Sequence, residues 1–324
     1  TTFAGEKVRL MADVDLSTLE STTSIGGNGS KNYGFRGIFE GNNFSFLNFN
    51  LDNGSTSYTG FFGYVNGATI KDLTLDGFKI KGGQYTGGFV GYAEGSCTFT
   101  NLKIKNGISV SGGEDTGGVI GYSLNKLTLN GFTATGTIDV NCGQYSGGIL
   151  GATPENIEFK NISLGAVDID ATSSYIGGVA GLIDGTAASS INKISATGEI
   201  NVYTSSGSSI GGIVGRTDGN FTLGTANGDA GSKSVLSNIV VTSANGQCIG
   251  GLFGNHSDSG AAHYIFNVKT GDVTVNGTGG YLSGAIAFSR NGVTINTLEM
   301  GNIRVNGTNG QSVGGIIGYA GGTV

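Results

Sequence analysis

Apolar residues along this chain alternate with polar ones in short runs, and the runs return about every 30 residues. Phe78/Ile80, Ile108/Val110, Ile138/Val140, Val167/Ile169, Ile200/Val202, Val273/Val275 and Ile303/Val305 are apolar at i and i+2. That is the period of a strand with one buried face, not of a helix. A second strand-like stretch precedes these runs, as in Asn101-Leu102-Lys103-Ile104 and Asn161-Ile162-Ser163-Leu164. A third element is a short glycine motif. It reads Gly60-Phe61-Phe62-Gly63, then Gly87-Gly88-Phe89-Val90-Gly91, and recurs from Gly117, Gly147, Gly177, Gly211, Gly250 and Gly314, with a degenerate copy at Ser283-Gly284-Ala285-Ile286-Ala287. Successive copies start 27, 30, 30, 30, 34, 39, 33 and 31 residues apart.

One such unit cannot bury its own apolar face, but a stack of units can. The pattern predicts an all-β parallel β-solenoid (β-helix) of nine to ten coils, with about three short strands per coil. At a strand spacing of about 4.8 Å the coils make a rod of roughly 45–50 Å. Residues 1–34 fall outside the repeat. A strand over 8–16 and a polar loop over 17–34 are expected to cap a solenoid formed by 35–324. The final motif has no cap after it, so further chain or another subunit is expected to cover that end.

Three columns keep phase with the repeat. Paired glycines permit positive φ or close backbone approach at a turn. The series Asn48, Asp72, Asn101, Asn130, Asn161, Asn192, Asn238, Asn267 and Asn296 suits a structural ladder of stacked side chains at a coil corner. The residues Phe89, Val119, Ile149, Val179, Ile213, Leu252 and Ile316 each precede a second apolar residue. Adjacent strand residues point to opposite sides. Either a tight corner turns both inward, or this column is an exposed apolar stripe marking an interface.

Composition narrows the function classes. The 324 residues include 63 Gly, 1 Pro and no Trp, and only 12% are charged. Collagen is excluded because the glycines have no three-residue period. The net charge is −6 and the basic residues are scattered, which disfavours a nucleic-acid partner. No apolar run is long enough to span a bilayer. Cys97, Cys142 and Cys248 form neither a metal pattern nor a disulfide framework. His256, Asp258 and His263 fall in a polar insertion at about 255–265, and a second insertion covers about 216–234. Both insertions read as solvated loops, and no metal or cofactor is expected.

The glycine motif, in repeats of this length, resembles the GLUG repeat of bacterial surface proteins. That repeat also occurs in the non-catalytic region of IgA-specific metallopeptidases. The lead-in Phe35-Arg36-Gly37-Ile38-Phe39-Glu40-Gly41-Asn42 is similar to the front end of such regions. The resemblance covers about 8–320 and implies an extracellular or cell-surface location. No His-Glu-x-x-His zinc motif is present, so peptidase activity is not implied. The expected role is a non-catalytic adhesin-like or stalk module, whose partner is a host glycan or protein. The alternative is a filament or sheath subunit that assembles with itself. Tyr58, Tyr85, Tyr145 and Tyr175 stand two residues before their motifs and can stack into a ladder or pack against sugar rings. A polysaccharide-cleaving enzyme needs acids converging in one groove. Glu94, Glu114, Asp115, Asp139 and Asp168 offer no single clear column.

Overall fold

The structure, a computed structural model, describes residues 3–19, 23–27, 29–226, 232–258 and 260–324. It is a parallel β-solenoid with three sheets running along its length, of 21, 9 and 8 strands among the described residues. One coil shows the plan. Thr86–Gly87 lies in the narrow sheet, Val90–Glu94 in the middle sheet and Thr98–Ser111 in the wide sheet. Each strand pairs in parallel with its counterpart one coil on, so Val90 faces Ile120 and Ile120 faces Leu150. The wide sheet carries two runs in most coils, as in Leu127–Ala134 and Ile138–Cys142. These coils therefore hold four strands where the repeat alone suggested three. In the coil of Thr98–Ser111 the two runs form one strand, whose register shifts between Lys105 and Ile108, beside Gly107 (φ +83°).

The core is made of apolar ladders. Phe99, Leu129, Phe159 and Ile191 stack in register, as do Ile108, Ile138, Val167, Ile200, Ile239 and Val273. All of these side chains are buried. Burying each is worth about 1.5–3 kcal/mol.

The exposed-stripe alternative does not hold. Phe89, Val119, Ile149, Val179, Ile213 and Leu252 are each 0% exposed, and only Ile316, in the final coil, is partly open at 37%. The reason is the tight corner between the narrow and middle sheets, where two successive N–H groups share one carbonyl in seven successive coils from Phe89 to Ala285. The N–H groups of Phe89 and Val90 both donate to the Val119 carbonyl, at 2.9 and 3.0 Å. Those of Ile149 and Leu150 likewise share the Val179 carbonyl. The register is the same on either side, with Gly87 opposite Gly117 and Val90 opposite Ile120, so no residue is inserted and the turn of the backbone between the two strands brings both side chains inward.

The asparagine series divides among three positions. Asp72, Asn101, Asn161 and Asn267 share one register position with left-handed backbone, but Gly131, Lys193 and Thr297 hold it in the neighbouring coils. Asn130, Asn192 and Asn296 stand one residue earlier, in the strand, while Asn48 and Asn238 sit at other corners. The side-chain bonds are accordingly pairwise: Asn101 donates to Asp72 and Asn161 donates to Asn130, both at 3.0 Å. No continuous ladder forms among the described residues. What the corner selects is a residue tolerant of φ > 0, which Asn, Asp and Gly supply equally.

The segment expected as a single capping strand is two short strands. Lys7–Arg9 pairs in parallel with Ile38–Glu40, and Val14–Asp15 with part of Ser45–Leu47. It repeats the two-run plan of the wide sheet and adds a partial coil, tied to the two that follow by Glu40, which binds Lys7, Arg9 and Lys71. The two histidines, expected in a solvated loop, are both 0% exposed in strands Phe253–His256 and His263–Lys269. Alternation turns them inward, where their rings stack 4.3 Å apart.

Candidate functional site

The middle and narrow sheets meet along an edge that carries most of the tyrosines. Tyr58, Tyr85, Asp115, Tyr145 and Tyr175 occupy one corner in successive coils, each with φ between +54° and +63°. Glycine would adopt that backbone freely, whereas a bulky residue holds it at a cost of order 1 kcal/mol or more. The sequence nevertheless keeps aromatic rings there. Beside this corner runs a second outward column in the middle sheet. Its register is Tyr64, Tyr92, Tyr122, Ala152, Leu182, Arg216, Asn255, Phe288 and Tyr319.

The rings interlock. Tyr58 stacks on Tyr85 at 5.3 Å, Tyr92 on Tyr122 at 5.1 Å, and Tyr145 on Tyr175 at 5.2 Å with only 6° between planes. Tyr85 meets Tyr92 edge-on at 5.0 Å, which joins the two columns. At the N-terminal end of this array, Lys31 lies 4.1 Å from the Tyr92 ring centre and pairs with Glu94 at 3.4 Å. Tyr64 donates to the same carboxylate at 2.8 Å.

The two columns are interrupted in adjacent coils. Asp115 replaces tyrosine in the corner column, and Ala152 replaces a large side chain in the other. The result is a cleft of about 240 Å³, walled by Tyr122, Tyr145 and Leu182, with Glu114, Asp115 and Asp184 on its lining. Asp115 is only 5% exposed. Burial pushes its carboxyl up to about 7, and Glu114 beside it acts in the same direction against a hydrogen bond from Gln84. The Gln84 amide reaches Asp115 at 3.3 Å and Glu114 at 3.4 Å.

Asp184 also lines a second, more open cleft toward the later coils, with Arg216, Asp218, Ser257 and Arg290. Arg216 grips Asp218 with two hydrogen bonds of 2.7 and 2.9 Å and lies over the Tyr175 ring at 5.6 Å. A hydrogen bond with Asp218, followed by burial, raises the Asp184 carboxyl. Burial opposes ionisation of Asp218, but bonds from Arg216, Asp184 and Ser257 outweigh it and hold that group low.

The acids singled out in the sequence separate in space. Glu94, Glu114 and Asp115 lie on the tyrosine face, whereas Asp139 and Asp168 pair across the wide sheet. Sequence reasoning missed Asp184, Arg216 and Asp218, which carry no repeat signal. It also missed Tyr64, Tyr92 and Tyr122, although each directly follows the last glycine of its motif. The three cysteines are buried and free, and burial raises their thiols. Among the described residues, no three His, Cys, Asp or Glu side chains are arranged to hold a metal ion. No described helix is long and apolar enough to cross a membrane.

A stretch of 97 residues, 29% of the chain, is 35% identical to halomucin of Haloquadratum walsbyi. The chain spans about 1% of that protein's length. No family model matches the chain, and no solved structure matches it.

Proposed function

We propose that this chain is a non-catalytic, adhesin-like module of an extracellular surface protein, and that its tyrosine face binds glycan. The observation that carries the reading is the break in both columns at Asp115 and Ala152. An uninterrupted ladder serves stiffness alone, whereas this one opens a cleft at its centre. Flat aromatic walls suit the C–H faces of sugar rings, and carboxyl oxygens at the floor suit their hydroxyl groups. Four tyrosines held with φ between +57° and +63° fit a surface kept for contact. The extracellular setting is supported by the resemblance of the glycine motif to surface-protein repeats, and by similarity to a protein whose name describes a mucin.

Titration calorimetry against a panel of oligosaccharides tests this. Tyr122→Ala and Tyr145→Ala are each expected to weaken binding by about tenfold or more, since a ring stack is worth about 1–3 kcal/mol. Unchanged affinity in both variants removes the cleft from the binding surface. A second reading rests on the gathering of Glu114, Asp115 and Asp184 at one cleft, two of them with raised carboxyls. Such groups can donate and accept protons at a glycosidic oxygen. Release of shorter oligosaccharides on prolonged incubation, abolished by Asp115→Asn, would establish hydrolysis in place of binding.

A further inference from the structure

The tyrosine face solves the same electrostatic problem twice and leaves a third instance open. At one end the Lys31 ammonium sits over Tyr92, within 6.0 Å of the Tyr58 and Tyr64 ring centres, and against the Glu94 carboxylate. At the other, the Arg216 guanidinium sits over Tyr175 against Asp218 and Asp184. Each cation is held by a ring face on one side and a carboxylate on the other, a combination in which the two attractions add. The cleft between them offers Tyr122 and Tyr145 as ring faces and Glu114 and Asp115 as carboxyls. Among the described residues its lining contains no basic side chain; Arg216 comes within 3.8 Å of Asp184 but is turned to Asp218. Gln84 supplies the hydrogen bond recorded to the Asp115 carboxyl among the described residues.

We infer that the cleft receives an organic cation carried by the glycan, the ammonium group of a deacetylated amino sugar, seated between Tyr122 and Tyr145 against Asp115 and Glu114. This rests on the glycan-binding reading and sharpens its ligand class. The sugar ring supplies the apolar face that the tyrosines pack, and the ammonium supplies the charge that the buried carboxyl lacks. An arriving cation relieves Asp115, whose ionisation burial opposes. Neutral sugars gain the ring contact and hydroxyl hydrogen bonds but no charge pairing.

The experiment uses the full chain at neutral pH, with three probes in calorimetry: a glucosamine oligomer, the matching N-acetylglucosamine oligomer and a glucose oligomer. The glucosamine oligomer is expected to bind about tenfold more tightly than the other two, the worth of one desolvated cation–aromatic contact with its carboxylate. Asp115→Asn, close in shape to a carboxyl that burial already disfavours as an anion, and Glu114→Gln at the surface are expected to erase that preference, so that the glucosamine and N-acetylglucosamine oligomers bind each variant equally. Equal affinity for the amino and acetylated oligomers in the unmodified protein overturns the inference and leaves the glycan reading standing. Absence of binding by all three overturns both. Competition by a lysine peptide as effective as the glucosamine oligomer overturns the sugar as the source of the cation.

Discussion

Gly148→Ala is the sharpest perturbation of the scaffold. Gly148 is the second glycine of its motif and adopts no positive φ, so the demand for glycine there is one of space. A Cβ would lie 2.4 Å from the Gly178 carbonyl oxygen and 2.9 Å from Val167 Cγ1. The oxygen is backbone in the next coil and accepts the Gly148 N–H at 3.2 Å, so relief requires the coils to part and the bond to weaken. Forced overpacking costs about 1–3 kcal/mol and a lost backbone bond about 1 kcal/mol, which together predict a loss of about 2–4 kcal/mol. Gly315 occupies the same motif position, but a Cβ there meets nothing within 4 Å. Gly315→Ala is therefore expected to be neutral, or stabilising by a few tenths of a kcal/mol through the unfolded chain. Urea unfolding followed by circular dichroism compares the pair. Equal destabilisation of both variants would refute close approach as the reason for the glycine column.

Two further outcomes follow from the core. Phe159, 0% exposed between Leu129 and Ile191, is expected to cost about 3–5 kcal/mol on replacement by Ala, read by the same unfolding curves. The stacked histidines predict acid sensitivity. Burial lowers His256 below its ordinary 6.5 and lowers His263 further, helped by His256, so both are neutral in the fold. Below pH 6.5 the unfolded chain takes up protons that the fold refuses. Stability present above that pH is thus lost as pH falls toward the folded values, by up to about 1.4 kcal/mol per pH unit for each ring. Asp115, raised to about 7, acts with the opposite sign, since its protonation below that pH relieves its burial. His263→Phe is expected to flatten the acid limb of a melting-temperature profile, and an unchanged limb would contradict the assignment.

The solenoid itself was readable because each coil repeats the same local choice. The i, i+2 pairs Ile108/Val110 and Ile138/Val140 and the 30-residue return of the glycines specify parallel strands in register, and the structure aligns those pairs as the period demands. The corner was not readable to that depth. Whether Phe89 points in or out depends on a tight corner, at which two N–H groups share the Val119 carbonyl and which leaves no mark of its own in composition. The asparagines misled for a related reason: the corner requires a left-handed backbone, not an amide, so Gly131 and Lys193 stand in the column while Asn130 and Asn192 stand beside it. The histidines looked solvated because their neighbours are polar, yet strand alternation buries them. The cleft was half visible. The Tyr58, Tyr85, Tyr145 and Tyr175 series is periodic, and its gap at Asp115 lies in the same register. Asp184 and Arg216 come from later coils and meet the tyrosines only through the stacking of the rod.

The claim that the break in the tyrosine columns is a binding cleft is tested most directly by closing it. Ala152 lies between Tyr122 and Leu182 in the outward column, and Tyr92 on Tyr122 shows that two successive coils accommodate stacked rings there. Ala152→Tyr continues that stack and fills the space. Calorimetric titration of this variant with the oligosaccharide that binds the unmodified chain is predicted to show binding lost while the melting temperature is held or raised. Undiminished binding by a folded Ala152→Tyr protein would place the ligand elsewhere and leave the tyrosines as scaffold alone.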